Sequence, residues 1–238
     1  MPADAEPLPY YDPPEMPFAR QRSELRAAVG RSVGGKLDAT QGLWRYSSSA
    51  VRPVQLYIGE NFLNPDECRQ LREKIDGGSY PSPLYQKDKY ADVRTSHSCN
   101  LDIHDPLIAE VETRIANLLS IDRAHGEPLQ GQRYEVGQCF KEHSDFFYVD
   151  QPYWVEYEPH GGQRTWTAMI YLNEPGAGGA TAFKLLGLAI EPRLGRILIW
   201  NNMAADGSPN PWTMHEGQPV GEGTKYIVTK WYRERQFV

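Results

Sequence analysis

The chain has 238 residues, of which 40% are hydrophobic and 24% are charged, and its formal net charge is −6 at pH 7. This length suits one domain with short extensions, and the hydrophobic content can form a buried core, which excludes a globally disordered chain. The acidic balance disfavours nucleic acid as a partner, because an acidic surface repels the phosphate backbone.

Residues 1–45 are expected to form a proline-rich tail and linker. Residues 1–20 contain six prolines, which prevent regular backbone hydrogen bonding. No basic segment followed by an apolar run indicates a targeting signal, and no stretch approaches the roughly eighteen apolar residues of a membrane span. A short helix is predicted over residues 23–29, and a loop over residues 32–42 because this stretch contains three glycines.

The cysteine pattern bears on the cellular compartment. The three cysteines, Cys68, Cys99 and Cys139, are widely spaced and form no CxxC pair. A disulfide framework or a cysteine zinc site is therefore not expected, and a reducing environment fits best. We expect a cytoplasmic protein without a membrane partner, and the sequence leaves its oligomeric state open.

Residues 46–130 are expected to supply helical support and a substrate loop within the same domain as the core. One helix is predicted from Asn64, because asparagine caps the start, Pro65 occupies the first position and Glu67 completes an acidic first turn. A second helix is predicted from Asp105, where a cap and a proline recur before an apolar stripe at helical spacing. Both helices are expected to support one sheet.

From Gly131 onward the sequence changes to the period of two that is typical of strands. The predicted strands cover residues 132–136, 164–172, 196–200 and 224–232, with a further extended segment over residues 212–216. Many short strands without long helices between them favour a sandwich or barrel. We therefore predict a mainly β (α+β) fold with flanking helices and a β core over residues 131–238.

The most specific local motif is the triplet His143-Ser144-Asp145. On an extended strand, residues i and i+2 project to one side, so an imidazole and a carboxylate could bind one ion. Two histidines and one carboxylate leave coordination positions open, which suits iron(II) oxygenase chemistry. The candidates for the missing ligand are His97, His104, His125, His160 and His215. His215 is preferred because a closing barrel strand would bring it opposite the triplet; a solvated strand edge is the alternative interpretation.

The last predicted strand carries a lysine at a position that matters for a cosubstrate. Alternation places Lys225, Ile227, Thr229 and Trp231 on one face. If this face lines the barrel, the ammonium is buried and needs an anionic partner, which the far carboxylate of 2-oxoglutarate would supply. In the alternative, Lys225 faces solvent, and Trp231 would then be exposed as well.

The ordered motifs between Val93 and Trp231 resemble the prolyl 4-hydroxylase branch of the 2-oxoglutarate and iron(II)-dependent oxygenases. The matching segments are residues 93–96, 127–130, 133–145, 162–167, 171–173, 178–181, 192–195, 215 and 225–231. The resemblance implies a double-stranded β-helix, or jelly roll, as the core. It also implies an enzyme that uses Fe(II), 2-oxoglutarate and O2, with ascorbate as an expected reductant.

The resemblance further implies a role for individual residues. The implied iron ligands are His143, Asp145 and His215. The implied residues of the 2-oxoglutarate pocket are Tyr134, Thr181, Lys225 and Thr229, with Lys225 paired to the distal carboxylate. The implied substrate contacts are Arg164 and Trp231. For Tyr134, Thr181 and Trp231 the alternative is ordinary core or strand packing. For Arg164 the alternative is a surface strand residue with a solvated head.

Several positions depart from the pattern of the family. Ala180 stands where relatives usually have glutamate, Phe140 replaces a tyrosine, Arg233 replaces a histidine, and residues 182–187 carry no long insertion. These departures leave the implied iron and cosubstrate residues intact, so they concern the prime substrate only.

The expected reaction is hydroxylation of prolyl residues in a peptide or protein. The alternatives are the same chemistry on a free amino acid or small metabolite, a jelly-roll binding module without turnover and, disfavoured by the charge, repair of nucleic acid. Residues 80–94 and 148–160 are expected to be mobile loops over the mouth of the site, where their aromatic side chains would suit an extended peptide. Ordinary loop packing is the alternative for both segments.

Overall fold

The computed structural model describes residues 21–47, 53–82 and 95–238, so the proline-rich residues 1–20 and most of the predicted loop 80–94 lie outside it. The α-helices of the described part are α1 (Glu24–Asp38), α2 (Pro65–Gly78), α3 (Pro106–Leu119) and α4 (Trp154–Tyr157). Its strands are β1 (Leu43–Arg45), β2 (Leu56–Gly59), β3 (Tyr80–Pro81), β4 (His97–Asn100), β5 (Gln130–Tyr134), β6 (Phe140–His143), β7 (Arg164–Tyr171), β8 (Ala177–Gly178), β9 (Thr181–Phe183), β10 (Leu188–Ile190), β11 (Ile197–Asn201), β12 (His215–Gly217), β13 (Val220–Glu222) and β14 (Lys225–Arg233). None of these helices is long and apolar enough to cross a bilayer.

Two sheets face each other in the core. The major sheet has the strand order β1-β2-β11-β7-β14-β5-β4-β3, and the minor sheet has the order β10-β9-β12-β6. Their strands pair in antiparallel fashion, and neighbours such as β7 and β14 are far apart in sequence. This arrangement is that of a jelly roll, and it confirms the predicted mainly β fold with flanking helices.

The central strands of the major sheet present different side chains to its two faces. In β7, Ala168 and Ile170 belong to an apolar cluster with the helices, whereas Met169 and Tyr171 belong to a second cluster shared with the minor sheet. The alternation follows from the two-residue period of a strand. The helices therefore cover the outer face, and the inner face is available for a site between the sheets.

Helices α2 and α3 begin where the sequence predicts. The Asn64 side chain accepts hydrogen bonds from the backbone of Asp66 and Glu67, and the Glu67 carboxylate accepts one from the Asn64 backbone. Asp105 caps α3 through the backbone of Leu107 and Ile108. These caps satisfy donors that the first turn of a helix leaves free.

Helix α1 extends further than predicted. The predicted loop over residues 32–42 is wrong, because the helix begins after Ser23 and continues to Asp38. Its glycines are sites of close approach: a Cβ atom on Gly34 would lie 2.0 Å from the Gln55 side chain. The buried Val33 and Leu37 then hold the second half of the helix against the core.

Two further predictions need correction. Residues 212–216 do not form one extended segment, since a 3-10 helix over Pro211–Thr213 precedes the short β12. Residues 148–160 are not all loop, because they include α4. The aromatic rings of this segment pack inward, with Tyr157 stacked on Phe147 at a centroid distance of 5.0 Å.

Candidate metal centre and its pocket

The predicted metal ligands come together at one end of the minor sheet. His143 is the last residue of β6 and His215 the first of β12, and the two are register partners. Asp145 lies two residues beyond the end of β6, outside the strand on which the sequence places it. One ligand atom from each of the three side chains lies within 4.8 Å of the others, and no other described histidine belongs to this group.

Backbone carbonyls orient both imidazole rings. The Nδ1 atom of His143 lies 2.8 Å from the Lys141 carbonyl, and that of His215 lies 3.0 Å from the Thr213 carbonyl. A carbonyl oxygen only accepts, so each Nδ1 carries the proton. Each Nε2 lone pair is then left for a metal ion, as is usual for histidine ligands.

Asp145 is buried and charged. Burial opposes its ionised form, but electrostatic interactions with His215, His143 and Arg164, together with the hydrogen bond from Thr167, outweigh this effect and hold its pKa below the ordinary value. The Thr167 hydroxyl donates a hydrogen bond of 2.7 Å to Asp145 Oδ2. The sequence did not single out Thr167, although the alternation of β7 places it on the inner face.

The pocket beside these three side chains contains every residue predicted for the cosubstrate. Its lining includes Tyr134, Thr181, Lys225, Thr229 and Trp231. Strand alternation therefore places Lys225, Thr229 and Trp231 of β14 on the inner face, and the alternative of a solvent-facing Lys225 is wrong.

The Lys225 ammonium is buried, and among the described residues no carboxylate forms a close ion pair with it. The side chain is 1% exposed, and its Nζ atom lies 5.1 Å and 5.5 Å from the ring centroids of Tyr134 and Tyr171. Burial lowers the pKa of Lys225 to about 7, against a weaker opposing effect of Glu191. An anionic ligand would remove this penalty, because it supplies the charge that the site lacks.

Polar groups that the sequence analysis missed hold the other pocket residues. The Tyr134 hydroxyl donates to Gln132 Oε1 at 2.8 Å, and the Tyr171 hydroxyl donates to Thr181 Oγ1 at 2.6 Å. Gln132 and Tyr171 lie on predicted strands and share a face with known pocket residues, so alternation was the signal that could have identified them.

The two predicted substrate contacts occupy different places. Trp231 lines the pocket, whereas Arg164 does not. Arg164 lies behind the indole, with its guanidinium 4.1 Å from the Trp231 ring centroid, and it pairs with Glu127 at 2.5 and 2.6 Å. The alternative of a solvated Arg164 is wrong, since this residue is 8% exposed.

The departures Phe140 and Arg233 are also packed into the site region. The Phe140 ring stacks on His143 at a centroid distance of 3.6 Å, so it shields one side of a predicted ligand. Arg233 is 2% exposed, and its Nε atom lies 2.6 Å from Glu127. Arg233 is therefore a partner of the Glu127–Arg164 pair and not a free cation in the pocket.

Comparison with known proteins adds independent evidence. Residues 129–233 match the family model of the 2OG-Fe(II) oxygenase superfamily. The chain is 30% identical over 246 residues to probable prolyl 4-hydroxylase 10 of Arabidopsis thaliana, covering 90% of this chain and 80% of the relative. It is 32% identical over 199 residues to probable prolyl 4-hydroxylase 3 of the same plant, covering 74% of this chain and 68% of the relative.

Solved structures of prolyl hydroxylases have a fold similar to that of this chain. The 2OG complex of a viral collagen prolyl hydroxylase from Paramecium Bursaria Chlorella virus-1 matches with a TM-score of 0.58 and 25% identity, covering 74% of this chain and 94% of that one. A prolyl hydroxylase from Trichoplax adhaerens, in complex with a hypoxia inducible factor peptide, matches with a TM-score of 0.56 and 16% identity over 94% and 96% of the two chains. The second likeness supports the shared fold alone.

Proposed function

Because the chain belongs to the prolyl 4-hydroxylase branch of the 2OG-Fe(II) oxygenase superfamily, we propose that it hydroxylates prolyl residues in a peptide or protein. It is an oxygenase of a family that uses Fe(II), 2-oxoglutarate and O2. The observation that carries the proposal is the convergence of His143, Asp145 and His215 beside the buried Lys225.

The donor set fits iron(II). Two imidazole nitrogens and one carboxylate oxygen lie within 4.8 Å of one another, and this donor set would leave coordination positions open for 2-oxoglutarate and O2. When bound, iron and 2-oxoglutarate supply the oxidation that inserts one oxygen atom into a C–H bond, while 2-oxoglutarate becomes succinate and carbon dioxide. His143, Asp145 and His215 would hold the metal.

The inner part of the pocket would bind and orient 2-oxoglutarate. The Lys225 ammonium would pair with the distal carboxylate, and the Tyr134 ring lies beside it, with its centroid 5.1 Å from Nζ. Thr181 and Thr229 complete the polar lining, while Ile227 and Met169 exclude water from the remaining walls. A dry surrounding strengthens the charge-assisted contact to Lys225.

Trp231 would position the prime substrate. Its indole N–H is buried and has no hydrogen-bond partner among the described residues, so it can donate to a carbonyl of the substrate. Arg164, held by Glu127, covers the indole from behind and fixes its orientation. An amide carbonyl and the apolar pyrrolidine ring of proline suit this combination of one donor and an aromatic face.

The surroundings of Arg233 favour a peptide over a free amino acid. A free amino acid presents a carboxylate close to the reacting carbon and would need a cation to bind it. Arg233 is instead buried against Glu127, and its Nη1 atom donates to the Gly162 carbonyl at 2.6 Å. The replacement of a histidine by this arginine therefore adds no obvious carboxylate site to the pocket.

The proposal is tested by product analysis with the iron-loaded chain. Proline-containing peptides and free amino acids are compared for their stimulation of succinate release, and the products are searched by mass spectrometry for one added oxygen on proline. We expect peptides to stimulate turnover and His143→Ala to abolish it. Stimulation by free amino acids alone would support the alternative substrate class, and bound iron without any turnover would support a binding module.

Two predictions from the sequence, which concern the reductant and the cellular location, stay predictions. Ascorbate as the reductant is checked by omitting it during many turnovers, where a progressive loss of rate is expected. The cytoplasmic location is checked by fractionating cells that produce the chain.

A further inference from the structure

A chain of two hydrogen bonds leads from the candidate metal centre into the major sheet. The Thr167 hydroxyl donates to Asp145 Oδ2 at 2.7 Å, and the Asn202 side-chain amide donates to Thr167 Oγ1 at 2.9 Å. Both Thr167 and Asn202 are 0% exposed. Water therefore does not compete for these hydrogen bonds. Thr167 and Asn202 are not metal ligands themselves, but the hydrogen bonds connect them to Asp145.

The direction of this chain follows from the chemistry of its ends. An amide nitrogen only donates, and an ionised carboxylate only accepts. The hydroxyl between them must therefore accept from Asn202 and point its proton at Asp145.

The far end of the chain is anchored in the backbone. The Asn202 N–H donates to the Thr165 carbonyl at 2.8 Å, and the Asn202 carbonyl accepts from the Asn210 N–H at 2.9 Å. Thr167 itself lies in β7, opposite Trp200 of β11. The position of the hydroxyl is thus determined by the sheet and not by a mobile loop.

We propose that Thr167 and Asn202 are positioning residues that fix the Asp145 carboxylate with its Oδ1 atom towards the histidine ligands. Oδ2 is occupied by the Thr167 hydroxyl, whereas Oδ1 is the oxygen that faces His143, 3.9 Å from its Nε2. Binding through both oxygens would fill a coordination position that 2-oxoglutarate or O2 requires. The inference rests on the proposed role of Asp145 as a metal ligand. The two hydrogen bonds that support it are formed between protein side chains alone.

The test measures the affinity of the metal-free chain for Mn²⁺ by calorimetry. Thr167→Val keeps the shape of the side chain and removes the hydroxyl, and we expect it to weaken Mn²⁺ binding about 10- to 100-fold. Thr167→Ser keeps a hydroxyl and is expected to bind within a few-fold of the parent chain. Thermal unfolding of each metal-free variant shows that it is folded.

Asn202 is tested through a double-mutant cycle. Because the amide acts only through the hydroxyl, Asn202→Ala should weaken Mn²⁺ binding in the parent chain but add nothing in the Thr167→Val background. Additive effects of the two substitutions on Mn²⁺ affinity would show that Asn202 does not act through Thr167.

A matched control lies two residues away in the same strand. Thr165 is equally buried, but its hydroxyl donates to the Tyr232 carbonyl at 3.2 Å and does not approach the ligands. Thr165→Val should lower stability while leaving Mn²⁺ affinity unchanged.

The positioning role of Thr167 is refuted if Thr167→Val binds Mn²⁺ with unaltered affinity, or if Thr165→Val loses as much affinity as Thr167→Val. Absence of Mn²⁺ binding by the parent chain would instead refute the metal centre itself. If Thr167→Val does not fold, Thr167→Ser and Asn202→Ala decide the outcome.

Discussion

The surroundings of Lys225 disfavour its charged form. Its ammonium is buried between the rings of Tyr134 and Tyr171, and burial lowers its pKa to about 7. The rings offer some cation–π attraction, but not the full countercharge of a carboxylate. Burial of this charge costs the folded chain stability, and a bound dianion would offset that cost. The protonation of Lys225 therefore links the stability of the fold to its affinity for 2-oxoglutarate.

This linkage predicts a pH dependence of 2-oxoglutarate binding. Below pH 7 the ammonium is already formed, so this group adds no dependence; above pH 7 binding must take up a proton, and affinity falls by up to about tenfold per pH unit. Calorimetry of the Mn²⁺-loaded chain in buffers of different ionisation enthalpy measures the uptake directly. Lys225→Met should raise the dissociation constant about 10- to 100-fold and abolish the dependence. The exposed Lys36→Met serves as control, and proton uptake that survives in Lys225→Met would disprove the assignment.

At the scale of single elements, the short β6–β12 pair and the long β7 and β14 have different roles. The pair brings His143 and His215 into register, while the long strands supply the walls of the pocket. Helix α1 does not line the pocket, and it packs against Gln55 and against Asn201 at the end of β11. The Gln55 side chain that covers its glycines donates to the Gly30 carbonyl and accepts from Asn201 at the end of β11.

Two adjacent glycines of α1 provide a test of this packing. Gly34→Ala would push a Cβ atom into Gln55 and break its hydrogen bonds, so we expect the free energy of unfolding to fall by about 1–2 kcal/mol. A Cβ atom on Gly35 would meet nothing within 4 Å, so Gly35→Ala should raise it by about 0.4–1 kcal/mol. Urea unfolding compares both variants with the parent chain. Equal stabilisation by the two substitutions would contradict the close approach of Gln55.

The same glycines illustrate what a sequence can predict about elements. The caps at Asn64 and Asp105 are local signals, and both helices begin where these residues predict. The length of α1 was missed because the partner that makes Gly34 favourable, Gln55, lies in a distant segment.

The candidate site follows the same rule. Its ligands and Lys225 carry recognisable residue types at recognisable spacings, so the sequence was sufficient to propose them. Thr167 and Asn202 are ordinary strand and loop residues until β7 and β11 pair, and only that pairing relates them to Asp145. Arg164 was expected at the substrate, but its pairing with Glu127 depends on a contact between distant segments.

At the scale of the whole molecule, the major sheet separates the apolar cluster beneath the helices from the site. The three long helices bury residues such as Leu71, Ile115 and Leu37 against the outer face of the major sheet, while the pocket opens between the inner faces. The outer cluster can therefore contribute to stability without touching the site, while the pocket holds a buried lysine, a buried aspartate and four aromatic side chains. Ligands that neutralise these inner charges should consequently stabilise the entire fold.

Ligand-linked thermal unfolding tests this expectation. Anything that binds only the folded state stabilises it by mass action, by about 2.7 kcal/mol at a free concentration of one hundred times its dissociation constant. We expect Mn²⁺ to raise the unfolding temperature, and 2-oxoglutarate to raise it further when Mn²⁺ is present. In Lys225→Met the increment from Mn²⁺ should remain, because its ligands are intact, while the increment from 2-oxoglutarate at the same concentration should largely disappear. Equal increments from 2-oxoglutarate in the two chains would show that the cosubstrate binds elsewhere.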